Sequence, residues 1–271
     1  MRLTRVALLI SLAPLPHLAG QGVAYEGGLS LETGSYIFTT RTTSLTIATG
    51  IAYTAGPLTL RAGLPVFVQN SSLLAGSGAG MMPSGGGSGG NVGSGGMGGG
   101  MMGDGGATGM AHYGAAAGDP SVQVGWRLVD RARTGVTLSA AAKIPMTDTT
   151  AYGTGQWDVG GTLSLTHRPP GKLFFGLDIS YWHLGDLPQL DFRDPILGTA
   201  TVSRLFPRTW AGSLFVAGGS AALRGYQPPV SVGAGMTHFG RRGLVWGVTG
   251  AIGLTETAPQ LSVGASWRIG L

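Results

Sequence analysis

Six charged side chains occupy equivalent places in this chain: Arg61, Arg127, Lys143, Asp158, Asp178 and Arg268. Each stands on the polar parity of a stretch in which polar and apolar residues alternate. In 135–146, Val136, Leu138, Ala140, Ala142, Ile144 and Met146 share one parity, while Thr137, Ser139 and Lys143 hold the other. In 157–168, Val159, Leu163 and Leu165 oppose Asp158, Thr162, Ser164 and Thr166. In 172–182, Leu173, Phe175, Leu177, Ile179 and Tyr181 oppose Lys172, Asp178 and Ser180. Side chains alternate across a strand, so each run is a strand with one oily and one polar face. Glu26, Glu32, Gln69 and Gln123 share the polar parity. Charges of both signs facing an enclosed interior either line a water path or pair and plug it.

Two other chemistries are open to these residue types. Met97, Met101, Met102 and Met110, with His112, form a soft ligand set suited to Cu(I). The plainer reading of that methionine cluster is a low-complexity loop in which Met is a flexible apolar residue, because glycine spacing imposes no geometry. A lipase would need a serine within hydrogen-bond reach of a base that a third group orients. His167 and His238 have no serine one or two positions onward, and only Ser180 stands near His183. No catalytic residue is assigned and no cofactor is implied.

The elements that must position the charges follow from composition. Only 11% of the 271 residues are charged, under half the roughly 25% of soluble domains. No apolar run beyond the N-terminus approaches the ~18–20 residues of a spanning helix. A low-charge chain without helical spans buries its backbone in a membrane only as a closed barrel. With no cysteine, a structural disulfide, a thiolate metal site, a cysteine nucleophile and a lipidated N-terminal cysteine are all excluded. The net charge of +5 comes without a basic run, so nucleic acid is not an expected partner.

Residues 1–20 read as a secretory signal, with Arg2 and Arg5 before an apolar core. Residues 21–271 read as an all-β, transmembrane antiparallel barrel of about twelve strands. The strands are expected at about 23–33, 42–55, 57–69, 120–130, 135–146, 157–168, 172–182, 196–206, 209–218, 228–239, 243–254 and 259–271. The alternation in 196–206 is blurred. Short links alternate with long ones, as do the periplasmic turns and outer loops of outer-membrane barrels. Tyr25, Tyr53, Trp126, Trp210, Trp246 and Trp267 fall near the short-turn end, and Tyr181 and Trp157 near the other, as two aromatic girdles would. The last strand ends on Leu271 and resembles the terminal signal read by the barrel assembly machinery, which usually ends in Phe.

Residues 71–118 interrupt the pattern. Within 76–118 lie 20 glycines and six of the nine methionines, too little apolar surface to offset the ordering entropy. A long Gly/Met-rich extracellular loop is expected there, mobile or folded partly into the mouth. Eight strands enclose a filled interior and sixteen a channel, so twelve suit a narrow pore. Lys143 should reach Asp158, and Asp158 should approach Asp178.

The hairpin carrying Lys143-Ile144-Pro145-Met146-Thr147-Asp148, then Gly153-Thr154-Gly155-Gln156-Trp157-Asp158-Val159-Gly160, resembles the meta-pathway phenol-degradation family of outer-membrane transporters. Gly118-Asp119-Pro120 and Asp186-Leu187-Pro188 fit the same resemblance. Here Met146 precedes the threonine, and the glycine before Asp148 is missing. The resemblance implies uptake of apolar or aromatic compounds through an outer-membrane barrel. Its partners would be the lipid bilayer, the barrel assembly machinery and a small-molecule solute. The alternatives are a nonconducting structural barrel, a copper-responsive surface protein acting through the methionine loop and, least favoured, an outer-membrane lipase.

Overall fold

The computed structural model describes residues 22–36, 41–71, 74–83, 114–147, 152–185, 192–207, 209–241 and 243–271. Among the described residues there are strands and no helix. In chain order they are β1 (Gly22–Gly34), β2 (Thr42–Ala55), β3 (Leu58–Gln69), β4 (Leu74–Ser77), β5 (Gly80–Pro83), β6 (Gly114–Ala117), β7 (Ser121–Arg131), β8 (Thr134–Lys143), β9 (Asp158–His167), β10 (Leu173–His183), β11 (Ile196–Phe206), β12 (Trp210–Gly219), β13 (Val230–Phe239), β14 (Val245–Gly253) and β15 (Leu261–Gly270).

Twelve of these, β1–β3 and β7–β15, pair antiparallel with their neighbours and close into a barrel, with β15 against β1. β3 pairs with β7 along its first half and with β6 along its second, so β6 and β7 act as one wall strand broken at Gly118-Asp119-Pro120. Proline has no N–H to give the ladder. At this break the backbone leaves the wall, though the Gly118 amide still donates to the Pro65 carbonyl at 2.8 Å.

The short links all lie on one rim, where the described ends also meet: the Leu271 amide donates to the Val23 carbonyl at 2.9 Å. Three of these turns need a backbone that glycine adopts without strain. Gly56 has φ +57°, Gly171 φ +113° and Gly243 φ +73°. β11, whose alternation is blurred in sequence, has a fixed register on both sides, from Tyr181↔Ile196 to Leu173↔Arg204. The blur comes from both ends of the strand, where Leu197 and Leu205 point inward and Arg204 outward.

The usual distribution of apolar residues is inverted. Leu31, Ile51, Trp126, Leu163, Ile179, Val216 and Ile252 all stand exposed on the outer face. Their counterparts line every barrel strand, a belt far larger than soluble proteins tolerate. In a bilayer that belt is the buried surface. At its short-turn edge Trp210 meets Trp246 edge-on at 5.3 Å, with His238 4.7 Å from Trp210. The tightly packed apolar residues lie elsewhere, inside the barrel at the long-loop end. One cluster joins Tyr36, Phe67, Leu74, Met81 and Tyr152, and another joins Ala79, Leu184, Leu197 and Ala222.

Candidate functional site

The site is built at the long-loop end, where β8 finishes on Lys143 and β9 starts on Asp158. The two are cross-strand partners, and both side chains point into the barrel. The Lys143 ammonium lies 3.5 Å from Asp158 Oδ2 and 2.8 Å from Asp119 Oδ2. It also donates to Thr154 Oγ1 at 2.7 Å and to the Gln156 carbonyl at 2.8 Å. All three charged residues are buried, Asp158 to 1% exposure. One cation against two carboxylates leaves an excess negative charge, which would be costly without further donors.

Backbone amides supply those donors. Asp119 Oδ1 accepts from the amides of Met146 and Thr147, both at 2.8 Å, and from the Thr147 hydroxyl at 2.7 Å. This carboxylate is available because the wall strand breaks around it, and it pins the β8–β9 loop. Asp158 accepts from the Gly78 amide at 2.7 Å and the Gly185 amide at 3.1 Å. It thereby holds both the start of the β10–β11 loop and a segment that enters from far along the chain.

That segment is the β4–β5 hairpin. Leu74 pairs with Pro83 and Ser77 with Gly80, around a Gly78-Ala79 turn capped by the Ser77 hydroxyl. At its base, Gln69 Nε2 donates to the Leu74 carbonyl at 3.1 Å and the Gly76 amide donates to the Tyr152 carbonyl at 2.7 Å. Leu74 and Met81 pack against Phe67 of β3. Ala79 at the tip packs against Leu197 of β11, with Trp182 and Phe192 beside it. β11 is the fifth strand round the ring from β3, so the hairpin reaches across the mouth. Its glycines have a steric reason. A Cβ on Gly76 would fall 2.7 Å from the Phe67 ring, and one on Gly78 would enter the Trp182 ring.

A second polar sector lies toward the short-turn rim. Arg268 Nη1 meets Glu26 Oε1 at 2.9 Å, and Arg61 Nε meets Glu26 Oε2 at 3.2 Å. Arg61 reaches over β2, where the fully buried Ala52 is too short to obstruct it, and also donates to Gln123 at 3.3 Å. These pairs run along the wall and not across the interior. Arg127 pairs locally with Asp130 at 2.8 Å. Asp178 accepts from the Ser164 hydroxyl at 2.5 Å.

The six expected charges thus fall into three groups. Lys143 meets Asp158, Arg61 and Arg268 share Glu26, and Arg127 and Asp178 stand apart. The expected approach of Asp158 to Asp178 does not occur. Asp178 is in register with Ser164, six residues along β9 from Asp158, about 20 Å at strand rise. Asp119 and the Gly78 amide take its place. Sequence reasoning missed both, although Leu74-Ala75 and Met81-Met82 flanking Gly78-Ala79 form a hairpin signature within the glycine tract.

Of the remaining candidates, Met97, Met101, Met102, Met110 and His112 lie outside the described residues. Among the described residues no cluster of His, Cys, Asp and Glu has a metal-holding arrangement. His183 Nδ1 lies 3.1 Å from Asp194, which also accepts from Tyr181 at 2.6 Å. Partial burial works against the Asp194 charge, but hydrogen bonds from Tyr181, His183 and the Leu184 amide outweigh it and hold the carboxyl below its usual range. His167 contacts Thr134, and His238 contacts Thr209.

No protein-family model matches the chain, and no curated protein matches its sequence. Solved structures do match in fold. The COG4313 outer membrane channel from Pseudomonas putida F1 aligns with a TM-score of 0.65 at 9% identity, over 93% of this chain and 96% of that one. The KdgM porin in complex with disordered oligogalacturonate aligns at 0.51 and 6%, over 92% and 99%. The NanC porin aligns at 0.50 and 9%, over 92% and 100%. The chain has the fold of the twelve-stranded, porin-like barrels of the outer membrane.

Proposed function

We propose that the protein is an outer-membrane channel for the uptake of small apolar or aromatic solutes, shut at its outer mouth by the β4–β5 hairpin. The observation that carries this reading is the hairpin tip held on Asp158, with the hairpin lying between opposite walls of the mouth. Below it the inner positions are short and mostly hydroxylic, such as Thr162, Ser180, Thr201, Ser213 and Thr249, and leave room for a water path. The aromatic solute class is supported by the mouth itself. Phe67, Tyr152, Trp182 and Phe192 present rings around the hairpin, and such rings favour offset or edge-on partners. The family resemblance of 143–160 points the same way. A solute that replaces the hairpin among these rings frees the Gly78 amide from Asp158.

The chain has no native cysteine, which permits a clean test. Ala79→Cys with Ala222→Cys ties the tip to the β12–β13 loop. Single channels in planar bilayers should close on oxidation and reopen on reduction, and toluene should raise the open time of the reduced form. Equal conductance in both redox states would sink the gate. Absent conductance after removal of 74–83 from an assembled barrel would instead favour a nonconducting structural barrel.

A further inference from the structure

A groove of about 660 Å³ crosses the outer face of β11–β14 toward the short-turn rim. Its walls are mostly apolar and include Val202, Phe206, Leu214, Met236 and Val248. The one cation at its edge is Arg204, which points outward and is exposed. No carboxylate among the described residues pairs with it. The register fixes its depth. One row of cross-strand partners runs Phe206, Trp210, His238, Trp246 and Trp267, and the next row inward starts with Arg204. Aromatic rows of this kind lie at the headgroup level of a bilayer. Arg204 therefore stands one row below the headgroups, close enough for its long side chain to snorkel up to the phosphates and for a lipid-facing arginine to cost little, and the groove runs from it into the hydrocarbon. The turns of the same rim carry the exposed Arg131, Arg133 and Arg241, so the surrounding potential is positive.

We propose that this groove binds an anionic glycerophospholipid from the leaflet on the short-turn side, with one acyl chain in the groove and the headgroup phosphate on Arg204. The proposal rests on the reading of the chain as an outer-membrane barrel, and it is independent of whether the barrel conducts. An apolar chain fills a furrow that would otherwise leave apolar walls poorly packed, and the guanidinium offers a forked donor to phosphate oxygens. The probe is an equimolar mixture of phosphatidylglycerol and phosphatidylethanolamine added to the detergent-purified protein, with retained lipid read by native mass spectrometry. Wild-type protein should retain phosphatidylglycerol about fivefold over phosphatidylethanolamine, the preference of one basic residue near a lipid surface. Arg204→Gln should bring the ratio to parity. Ala234→Leu, which fills the groove floor, should lower retention of both lipids. Heat-modifiable gel migration confirms that each variant is folded. No preference in wild type, a preference that survives Arg204→Gln, or full retention by Ala234→Leu would each overturn the proposal. Conductance of the same samples separates the two readings: a silent wild type with the lipid preference intact sinks the channel and leaves the lipid site standing.

Discussion

Asp158 joins the barrel wall to the hairpin through one side chain, so its substitution separates structure from gating. Asp158→Asn keeps the shape of the side chain and one acceptor but removes the charge facing Lys143. Lys143 keeps Asp119 at 2.8 Å, so the ammonium is not left alone. The loss should be that of a charged hydrogen bond, about 1.5–3 kcal/mol, read as a lower urea midpoint for unfolding in vesicles. Lys143→Met in the same chain leaves Asp119 unneutralised and should not restore stability. If the double variant regains the wild-type midpoint, Lys143 and Asp158 form an isolated pair and Asp119 has no electrostatic part. The same Asp158→Asn barrel should conduct more often and shift toward anion selectivity, because a negative group is lost at the mouth.

Gly78 gives the second residue-scale prediction. A methyl at this position meets the Trp182 ring, which sits on a rigid strand, so the tip must yield. Gly78→Ala should raise open probability and lower stability by about 1–3 kcal/mol, the cost of forcing an extra methyl into a packed site. Trp182→Ala in the same chain removes the obstacle and should return the channel toward closure. Identical gating in Gly78→Ala and wild type would show that the tip does not rest on Trp182.

At the scale of elements, the hairpin is dispensable to the wall. Its strands pair with each other and with none of the twelve. Closing a long loop costs little more per added residue, so removing 76–113, which spares the β6–β3 pairs of the wall, should leave an assembled, heat-modifiable barrel with enlarged conductance. The buried Met81 contacts are lost in this variant, and Leu74, Phe67 and Tyr152 are partly uncovered. A deletion that fails to assemble would make the segment a folding element and not a plug. Residues 84–113 carry all four candidate methionines and His112, and Cu(I) titrated into the intact protein should show no tight stoichiometric site, since nothing in glycine spacing fixes a ligand geometry. A one-to-one complex would restore the copper reading.

At the scale of the whole molecule, stability comes from the closed ladder and the exposed apolar belt. Neither survives transfer to water as a free monomer. The protein should show a β-rich circular dichroism spectrum and migrate faster on gels before boiling than after. A helical spectrum or a freely soluble product would contradict the barrel.

Much of this architecture is written locally. Strand periodicity depends on residues two apart, and here one face meets lipid and the other the interior, so Leu138 and Ser139 already declare their sides. The short turns are equally local, because Gly56 and the Pro169-Pro170-Gly171 link carry their own backbone preferences. Lys143 and Asp158 were legible as neighbours because a single hairpin joins their strands. Asp119 sits beside Lys143 only because the wall strand breaks two residues before Ser121, the register partner of Lys143. What lay beyond reach was every contact made across the barrel, such as the Gly78 amide on Asp158 from 80 residues away. No periodicity encodes such meetings. A glycine-rich segment has little apolar surface of its own, so whether part of it orders depends on what the closed wall offers: the Phe67 ring, the Tyr152 carbonyl and a buried carboxylate short of donors. Only ring closure brings those groups together, and only then do the pairs around Gly78-Ala79 have a site to enter.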